Sequence, residues 1–427
     1  MENIFNRNFF RETRFQSLYA GNVFVGAALD ICFPDSRGTH LSCLENFTLS
    51  LDGKVIEQEK LRFCLHGKEF YIWELPCLAE EYWTLLEWAT IKIYREIKPG
   101  NHSVEISYRY RVPFTGNNES CVRESVFGRG DFLLDASLAP GHCGNLETSP
   151  VPGRSGNLEP SAAPDIRLGV SLFSMGKDYA LGQISMEDAI KLAGEIGYTG
   201  FELVSAQMVP GYPYPSWDWC QRAAKFFKIS GLEPVAYGSY VDTARFSGHD
   251  LTEKEIYAAV YNDMLIAKTL GFKILKVNDE IGCQVLKSLI PAAKAMDLWI
   301  GVEFHRPNTI DNKKWSAYFN LFEALGSPHI GVVVDTGIFD KREHPVSMED
   351  FRKMLKYCRY IHGKFMCLEN DRADKNIDFA QIVRAAREED FCGYINAEYE
   401  GYFHNLSLDT KQQLTWYYRM MRRLLSE

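Results

Sequence analysis

The sequence lacks several features that would assign it at once to a class of protein. No stretch approaches the roughly 18 consecutive apolar residues of a membrane helix, and the opening MENIFNRNFFRETRF carries charges where a signal peptide has an apolar core. Basic residues are in the minority, with 47 Lys and Arg against 56 Asp and Glu. We therefore expect neither a nucleic-acid nor a membrane partner, since both anionic surfaces favour clustered basic residues.

Cysteine is present but shows none of the spacings that carry structure. The chain has 11 cysteines, an odd number, without CxxC pairs or zinc-finger spacing. A disulfide framework or a structural zinc site is therefore not expected. We predict a reducing, cytoplasmic setting in which most cysteines serve as small core residues.

The 427 residues are too many for one ordinary domain, and the composition changes near residue 137. Residues 137–165 are rich in Gly, Pro and Ser and poor in large apolar side chains. This composition predicts a linker, which would span about 30 Å if flexible. It separates an amino-terminal domain, 1–136, from a carboxyl-terminal domain, 166–427.

The two domains differ in their patterning. Residues 1–136 contain short alternating runs separated by turns, as in LENFTLSLDGKVI and KLRFCLHGKEFYI, which predicts an all-β sandwich of roughly seven or eight strands. Residues 166–427 alternate eight apolar strand candidates with helical stretches, one of which opens with Ser185 and Asp188 at capping-box spacing. Eight such units predict a (β/α)8 TIM barrel, whose active site lies at the carboxyl ends of the strands.

Four potential metal ligands follow from this register. Glu303 ends the fifth predicted strand, Asp335 ends the sixth, His362 lies in the seventh and Glu398 in the eighth. Three carboxylates and an imidazole suit a divalent cation such as Mn²⁺, with Mg²⁺ or Co²⁺ as alternatives. Any one of these residues could instead be a cap or turn former, but their joint position at one end of successive strands favours a metal site.

Further candidates follow from strand alternation, because residues i and i+2 share a face. His305 lies two residues beyond Glu303 in GVEFHRP and is predicted to be either a catalytic base or a group that orients Glu303. Alternation also gives Lys364 as a candidate for binding substrate, and the other candidates are those after the second and third strands or on the fourth: Gln207, Tyr240, Lys276 and Asn278. For the residues around strands three and four, satisfying buried neighbours is an equally good interpretation.

The site and several motifs carry a resemblance to known families. The spacings of 32, 27 and 36 residues between successive ligands resemble the metal site of the xylose-isomerase-like barrel superfamily. More narrowly, LGVSLFS, FELVSAQMVPGYPYPS, EPVAYGSYVD, GVEFHRP and DTGIF look like the catalytic α subunit of C-glycoside deglycosidases. RGTHLSCLENFTLSLDGK and KPGNHSVEISYRYRV resemble the β subunit of the same enzymes. The resemblance implies two subunits fused into one chain.

The resemblance also implies a reaction. These enzymes act on glycosides already oxidised at sugar C3, remove the acidic C2 hydrogen and eliminate the aglycone from C1. Carried over, the cation held by Glu303, Asp335, His362 and Glu398 would polarise the ketone, with His305 as the base. The expected substrates are 3-oxo C-glycosides, and O-glycosides as an alternative, of aromatic aglycones. We expect a homo-oligomer, with the β-like domain covering its own barrel or that of another subunit.

Alternatives on the same barrel remain open. A sugar isomerase or ketose 3-epimerase would use Glu303 and Glu398 as opposed bases, and the metal site cannot separate it from a lyase. His305 and the amino-terminal domain favour elimination. An endonuclease would require a His-rich zinc site and a basic groove, whereas this chain is acidic and has ten histidines. A non-catalytic carbohydrate-binding protein would leave the complete ligand set unexplained.

Overall fold

The computed structural model describes residues 9–135, 166–305, 312–343, 345–405 and 407–427. Two compact units are present, and each is described by itself. The first comprises Met1–Pro152 together with Asp242–Leu251, and the second comprises Gly153–Val241 and Thr252–Glu427. The predicted linker, residues 137–165, lies outside the described residues.

The first unit is built from antiparallel strands, as the alternating pattern predicts. Its strands are β1 (Gln16–Ala20), β2 (Val23–Cys32), β3 (Thr39–His40), β4 (Leu44–Leu51), β5 (Lys54–Val55), β6 (Leu61–Leu65), β7 (Lys68–Tyr71), β8 (Tyr82–Trp83), β9 (Trp88–Ile93), β10 (Gly100–Arg111) and β11 (Arg123–Leu134). They form a five-stranded sheet in the order β1-β2-β9-β6-β7, a four-stranded sheet β11-β10-β4-β5, and a small pair β3-β8.

Aromatic contacts join the two larger sheets of this unit. Phe47 of β4 lies edge-to-face against Phe63 of β6, with ring centroids 6.1 Å apart, and both side chains are buried. Tyr108 of β10 stacks on Phe47 at 5.8 Å. The inward faces of the sheets therefore share one apolar core, which explains the alternation in the sequence and confirms an all-β amino-terminal domain.

The segment Asp242–Leu251 is continuous in sequence with the barrel strands but belongs to the first unit. The Asp242 carboxylate is buried and accepts a hydrogen bond from Arg37 Nη2 at 2.8 Å, while His40 Nε2 lies 3.2 Å away. Arg111 donates to the Ala244 carbonyl at 3.2 Å. The sequence did not indicate that this segment belongs to the first unit, because its composition is that of an ordinary loop.

The second unit contains the closed eight-stranded parallel barrel that the sequence predicts. Its strands are β12 (Ile166–Ser171), β13 (Gly200–Val204), β14 (Glu233–Ser239), β15 (Ile274–Val277), β16 (Trp299–Phe304), β17 (Ile330–Asp335), β18 (Cys358–Phe365) and β19 (Gly393–Tyr399). Each strand pairs with its neighbour in sequence, and β19 closes on β12. Their carboxyl ends therefore lie at one end of the barrel.

Helices connect and surround these strands, and the cap predicted at Ser185 is present. They are α1 (Gly176–Ala180), α2 (Met186–Ile196), α3 (Ser205–Met208), α4 (Trp217–Ser230), α5 (Glu253–Leu270), α6 (Cys283–Met296), α7 (Lys313–Leu325), α8 (Met348–Leu355), α9 (Phe379–Glu388) and α10 (Thr410–Ser426). The Ser185 hydroxyl accepts from the Asp188 amide at the start of α2, at 3.0 Å, as the sequence predicts.

Close packing at the barrel strands depends on two glycines in register on β16 and β17, Gly301 and Gly331. The Trp299 indole is buried beside them. A Cβ on Gly301 would lie 2.3 Å from that ring, and one on Gly331 would lie 2.0 Å from the Tyr357 carbonyl oxygen. These positions need glycine for space, because any side chain would collide with an occupied core.

The sequence-based expectations about cysteine burial and about membrane helices can both be compared with the described residues. Among the described residues, Cys32, Cys43, Cys121, Cys220 and Cys358 are buried whereas Cys77, Cys367 and Cys392 are exposed, so the predicted core role holds for only part of the cysteines. In the part of the chain that the structure describes, no helix is both long enough and apolar enough to cross a bilayer.

Candidate metal centre

The four predicted metal ligands converge at the carboxyl ends of β16 to β19. Glu303, Asp335, His362 and Glu398 each offer a ligand atom, and these atoms all lie within 4.8 Å of one another. Asp335 and His362 are fully buried, and Glu303 and Glu398 are nearly so. The register of neighbouring strands produces this meeting point, because Asp335 pairs directly with His362 across β17 and β18.

Local structure orients Asp335 toward the cluster. The chain turns immediately after β17, so the amide of Gly337 donates to Asp335 Oδ1 at 2.7 Å. A Cβ on Gly337 would lie 3.0 Å from that oxygen, which explains the glycine in DTGIF. The other oxygen, Oδ2, points into the cluster, where Lys364 Nζ lies 2.7 Å away.

His362 presents one ring nitrogen to each side of the site. Its Nε2 lies 2.6 Å from Glu202 Oε2, while Nδ1 lies 2.9 Å from Glu303 Oε1 and 3.3 Å from Glu398 Oε1. When Nε2–H donates to Glu202, a neutral ring aims its Nδ1 lone pair at two carboxylates. That arrangement is repulsive unless a positive charge lies between them.

The pKa values of the ligands reflect this crowding of charge. Burial raises the pKa of Glu303, but Lys276 and His362 outweigh it and hold this pKa well below its usual range. Burial acts on Glu398 in the same way, and His362 and Lys364 lower the pKa of this carboxyl to about 2. Burial lowers the pKa of His362, yet Glu202 and Glu398 hold it well above its ordinary value. Glu303 and Glu398 are therefore ionised and attract cations.

The donor set fits a divalent cation. Asp335 Oδ2, His362 Nδ1 and Glu398 Oε2 are buried, and among the described residues none of these atoms makes a hydrogen bond of good geometry, although charged neighbours lie within ion-pair distance. Three carboxylates and one imidazole are the ligands that Mn²⁺, Mg²⁺ and Co²⁺ accept. The cluster can therefore bind a metal ion, as the sequence predicts.

His305 follows β16 at the edge of the cluster. Its side chain is 54% exposed, unlike the buried ligands, and its Nε2 lies 3.5 Å from Asp335 Oδ2. Lys364 Nζ lies 2.9 Å from the same nitrogen. Because an ammonium group only donates, a hydrogen bond in this contact requires a lone pair on Nε2.

Two of the predicted substrate-binding residues, Lys276 and Lys364, lie directly beside the ligands. Lys276 Nζ is 3.1 Å from Glu303 Oε2 and 5.5 Å from the centroid of the Tyr240 ring. Lys364 Nζ is also 3.1 Å from Glu400 Oε1. Burial lowers the pKa of both lysines, but the surrounding carboxylates hold both values well above normal, so both side chains are charged.

The other predicted substrate-binding residues have structural partners. Asn278 accepts from the Val241 amide at 2.8 Å and donates to its carbonyl at 3.4 Å, which ties together the loops after β14 and β15. Gln207, in α3, is buried against Gly176, where a Cβ would lie 2.4 Å from Gln207 Nε2. The Asn278 contacts match the interpretation in which such side chains satisfy buried neighbours, and substrate binding by Gln207 stays a prediction.

Sequence reasoning missed Glu202, a carboxylate with no exposed surface in the middle of the apolar strand β13. Its Oε2 accepts from Tyr360 Oη at 2.5 Å as well as from His362. An acidic residue within GFELV is the signal that was available. It went unused because Glu202 lies 160 positions from His362, and only barrel closure brings the two together.

Fold and site together define the class of protein. Residues 190–420, more than half of the chain, match the family described as xylose isomerase-like TIM barrel. The chain belongs to that family. Residues 5–114 match a second family, the C-glycoside deglycosidase beta subunit.

Individual relatives divide between the two parts in the same way. The 3'-dehydrocarminate deglycosidase alpha subunit of Microbacterium sp is 24% identical over 61% of this chain and 96% of its own length. The C-glycoside deglycosidase alpha subunit of Arthrobacter globiformis is 29% identical over 46% of this chain and 54% of its own. The 3'-dehydrocarminate deglycosidase beta subunit of Microbacterium sp is 26% identical over 21% of this chain and 68% of its own length. These matches confirm the resemblance to both subunits.

Proposed function

We propose that the protein is a metal-dependent lyase that removes the aglycone from 3-oxo-glycosides, C-glycosides and also O-glycosides of aromatic aglycones. The observation that carries the proposal is the double match: the two parts of one chain resemble two different subunits named for the same activity. The buried carboxylate and histidine cluster supports it, because it provides a cation site of the required chemistry. Mn²⁺ is the cation that we propose.

The reaction begins with proton removal by His305. The C3 ketone acidifies the C2 hydrogen, and the imidazole Nε2 takes that proton as the C2–H bond breaks. A C1–C2 double bond forms, the C1–aglycone bond breaks, and its electron pair leaves with the aglycone atom, which is then protonated. The Lys364 contact supports this role, because an ammonium group can donate to Nε2 only if this nitrogen carries a lone pair.

The remaining groups of the centre are proposed to stabilise negative charge on the sugar and to orient the sugar. A divalent cation held by Glu303, Asp335, His362 and Glu398 would supply a Lewis acid that polarises the ketone. Lys364 and Lys276 contribute fixed positive charge beside the place where negative charge develops on sugar oxygens, and the Tyr240 ring extends this surface beside Lys276. Asn278 and Gln207 are proposed to shape the sugar pocket through the loops that they hold.

The organisation of the chain is part of the proposal. We infer that residues 1–136 and 166–427 correspond to β and α subunits, that 137–165 tethers them, and that the protein forms a homo-oligomer. A cytoplasmic setting agrees with buried thiols such as Cys43 and Cys358. Size-exclusion chromatography with light scattering tests the oligomer, and a monomer would contradict it.

The decisive experiment is incubation of purified, Mn²⁺-loaded protein with 3-oxo C-glucosides and 3-oxo O-glucosides of aromatic aglycones. Released aglycone is followed by chromatography, with free ketohexoses as a parallel panel. We expect aglycone release that disappears after chelation and returns with Mn²⁺. Isomerised ketohexose without aglycone release would overturn the proposal and indicate a sugar isomerase or 3-epimerase.

A further inference from the structure

Glu202 lies behind the candidate metal centre, on the side of His362 away from the other ligands. The carboxylate has no exposed surface and comes from β13, whereas the proposed ligands come from β16 to β19. Its Oε2 accepts from both Tyr360 Oη, at 2.5 Å, and His362 Nε2, at 2.6 Å. Ser171 Oγ donates to Oε1 at 3.3 Å. A buried carboxylate with this many donors is held in a single orientation.

That orientation determines which nitrogen of His362 faces the cluster. Because Glu202 accepts the hydrogen bond from Nε2–H, Nδ1 is the nitrogen that gives up its proton when a cation binds, and its lone pair is then directed toward Glu303 and Glu398. The tautomer with the proton on Nδ1 would place N–H where a cation must bind and would leave the Glu202 carboxylate facing a second lone pair. Glu202 therefore selects the tautomer that can bind a metal.

Glu202 also acts on a second ligand through Lys276. The Lys276 ammonium lies 3.6 Å from Glu202 Oε1 and 3.1 Å from Glu303 Oε2, so it is shared between the two carboxylates. Without Glu202, Glu303 would be the one carboxylate left within ion-pair distance of Lys276 among the residues that the structure describes. An ammonium group held there competes with a metal ion for the same oxygen.

We propose that Glu202 is a positioning residue that prepares the centre for a divalent cation by selecting the His362 tautomer and by sharing Lys276 with Glu303. The inference rests on the proposed function, since it requires Glu303, Asp335, His362 and Glu398 to bind a cation. It adds a residue from a different strand and a role that neither the cluster nor the relatives specify. Carboxylates behind a metal-bound histidine change metal affinity by about 10- to 100-fold when removed.

The test is calorimetric titration of the full chain with Mn²⁺ alone, for the wild type, Glu202→Gln and Tyr360→Phe. We expect Glu202→Gln to weaken Mn²⁺ binding about 10- to 100-fold, and Tyr360→Phe to weaken it less, because the Glu202 side chain is then still present and loses only one donor. The matched control is Asp263→Asn, another buried barrel carboxylate, which accepts from Ser239 at 2.6 Å. It should bind Mn²⁺ as the wild type does.

A spectrum separates positioning from a general loss of structure. With saturating Co²⁺, the visible absorption bands should shift in Glu202→Gln and stay unchanged in Asp263→Asn, because the bands report ligand geometry. Wild-type affinity and spectrum in Glu202→Gln would overturn the inference alone. If the wild type binds neither ion, the metal centre and this inference both fail. Should Glu202→Gln not fold, wild-type affinity in Tyr360→Phe would also count against the inference.

Discussion

At the scale of single residues, the centre is a balance of buried charges. Three ligand carboxylates face the two ammonium groups of Lys276 and Lys364, and the pKa values of Glu303 and Glu398 fall although burial opposes ionisation. Burying this many charges is tolerable only when each has a partner, so the loss of any one member unbalances the others. His305 differs because it is more than half exposed.

We predict that His305→Ala retains metal and loses most turnover. The side chain is at the edge of the cluster and is not among the four ligand donors, while removal of a general base typically lowers the rate by about 10²–10⁴-fold. Turnover on 3-oxo-glycosides and metal content by elemental analysis check both parts.

Glu398→Ala provides the comparison for His305→Ala. This change removes a ligand, so both bound metal and turnover should be lost. An active, metal-free Glu398→Ala protein would refute the site, and wild-type turnover in His305→Ala would remove this histidine from the role of base.

At the scale of elements, the segment Asp242–Leu251 shows how a loop joins a unit distant in sequence. Buried polar contacts hold it there: the Ser42 hydroxyl donates to the Arg245 carbonyl at 2.5 Å, and the Ala244 amide donates to the Pro113 carbonyl at 3.0 Å. Asp242 makes the charged contact with Arg37. Because these groups are desolvated, their pairing is required for stability.

We predict that Asp242→Asn destabilises the protein by about 3–5 kcal/mol at pH 7, because it removes the carboxylate that pairs with the buried Arg37 charge. Burial raises the Asp242 pKa, but Arg37 and His40 lower it to about 2 in the folded protein. This is below the unfolded value of about 3.9, so the stabilisation is complete at neutral pH and is lost as the pH falls through this range. Denaturant unfolding at several pH values measures it.

The difference between wild type and Asp242→Asn should therefore shrink below about pH 4. Asp250→Asn is the control from the same segment, since this carboxylate is only partly buried and accepts from Asn118 at 2.7 Å. Asp250→Asn should lower the free energy of unfolding by about 1 kcal/mol. An equal loss in both variants would contradict the special role of Asp242.

A second prediction at the scale of elements concerns the packing of the barrel strands. Gly331→Ala should destabilise by about 3 kcal/mol, because the new Cβ would lie 2.0 Å from a backbone oxygen that cannot move independently. Gly238→Ala on β14 is the matched control, as its nearest neighbour would be 3.4 Å away. Thermal unfolding of both variants is the measurement, and equal melting temperatures would contradict the packing argument.

At the scale of the whole molecule, each of the two units is made of two separate stretches of the chain. The chain passes through the first unit, enters the barrel, returns to the first unit for Asp242–Leu251, and completes the barrel. An independent barrel would need this segment to be stable without the sandwich. Its buried Asp242 and its bonds to Arg37 and Arg111 indicate otherwise.

We predict that deleting residues 1–136 yields a barrel with a lowered melting temperature and a tendency to aggregate. The deletion removes every partner named above for Asp242–Leu251 and exposes its buried polar groups. Thermal unfolding with light scattering measures the effect. Full-length protein cut by a protease at a site introduced within 137–165 is the control, because all residues are then present. A soluble fragment that melts like the full chain would contradict the prediction.

Much of the fold and of the candidate site could be predicted from the sequence alone. Apolar runs of strand length alternating with capped helices specify a parallel barrel, and barrel strands follow one another in chain order, so the eight strands could be identified by inspection. Alternation then predicts which side chains share a face. Glu303, Asp335, His362 and Glu398 could be grouped because each lies at the carboxyl end of a successive strand.

Only the tertiary structure decided the contacts between distant parts of the chain. Glu202 reaches His362 because barrel closure brings strands that are 160 residues apart into contact, and no local pattern encodes that meeting. Asp242–Leu251 joins the first unit because a buried carboxylate needs cationic and hydrogen-bonding partners, which lie on strands and loops far away in sequence. Local periodicity specifies elements, whereas desolvated charges find their partners only when the chain has folded.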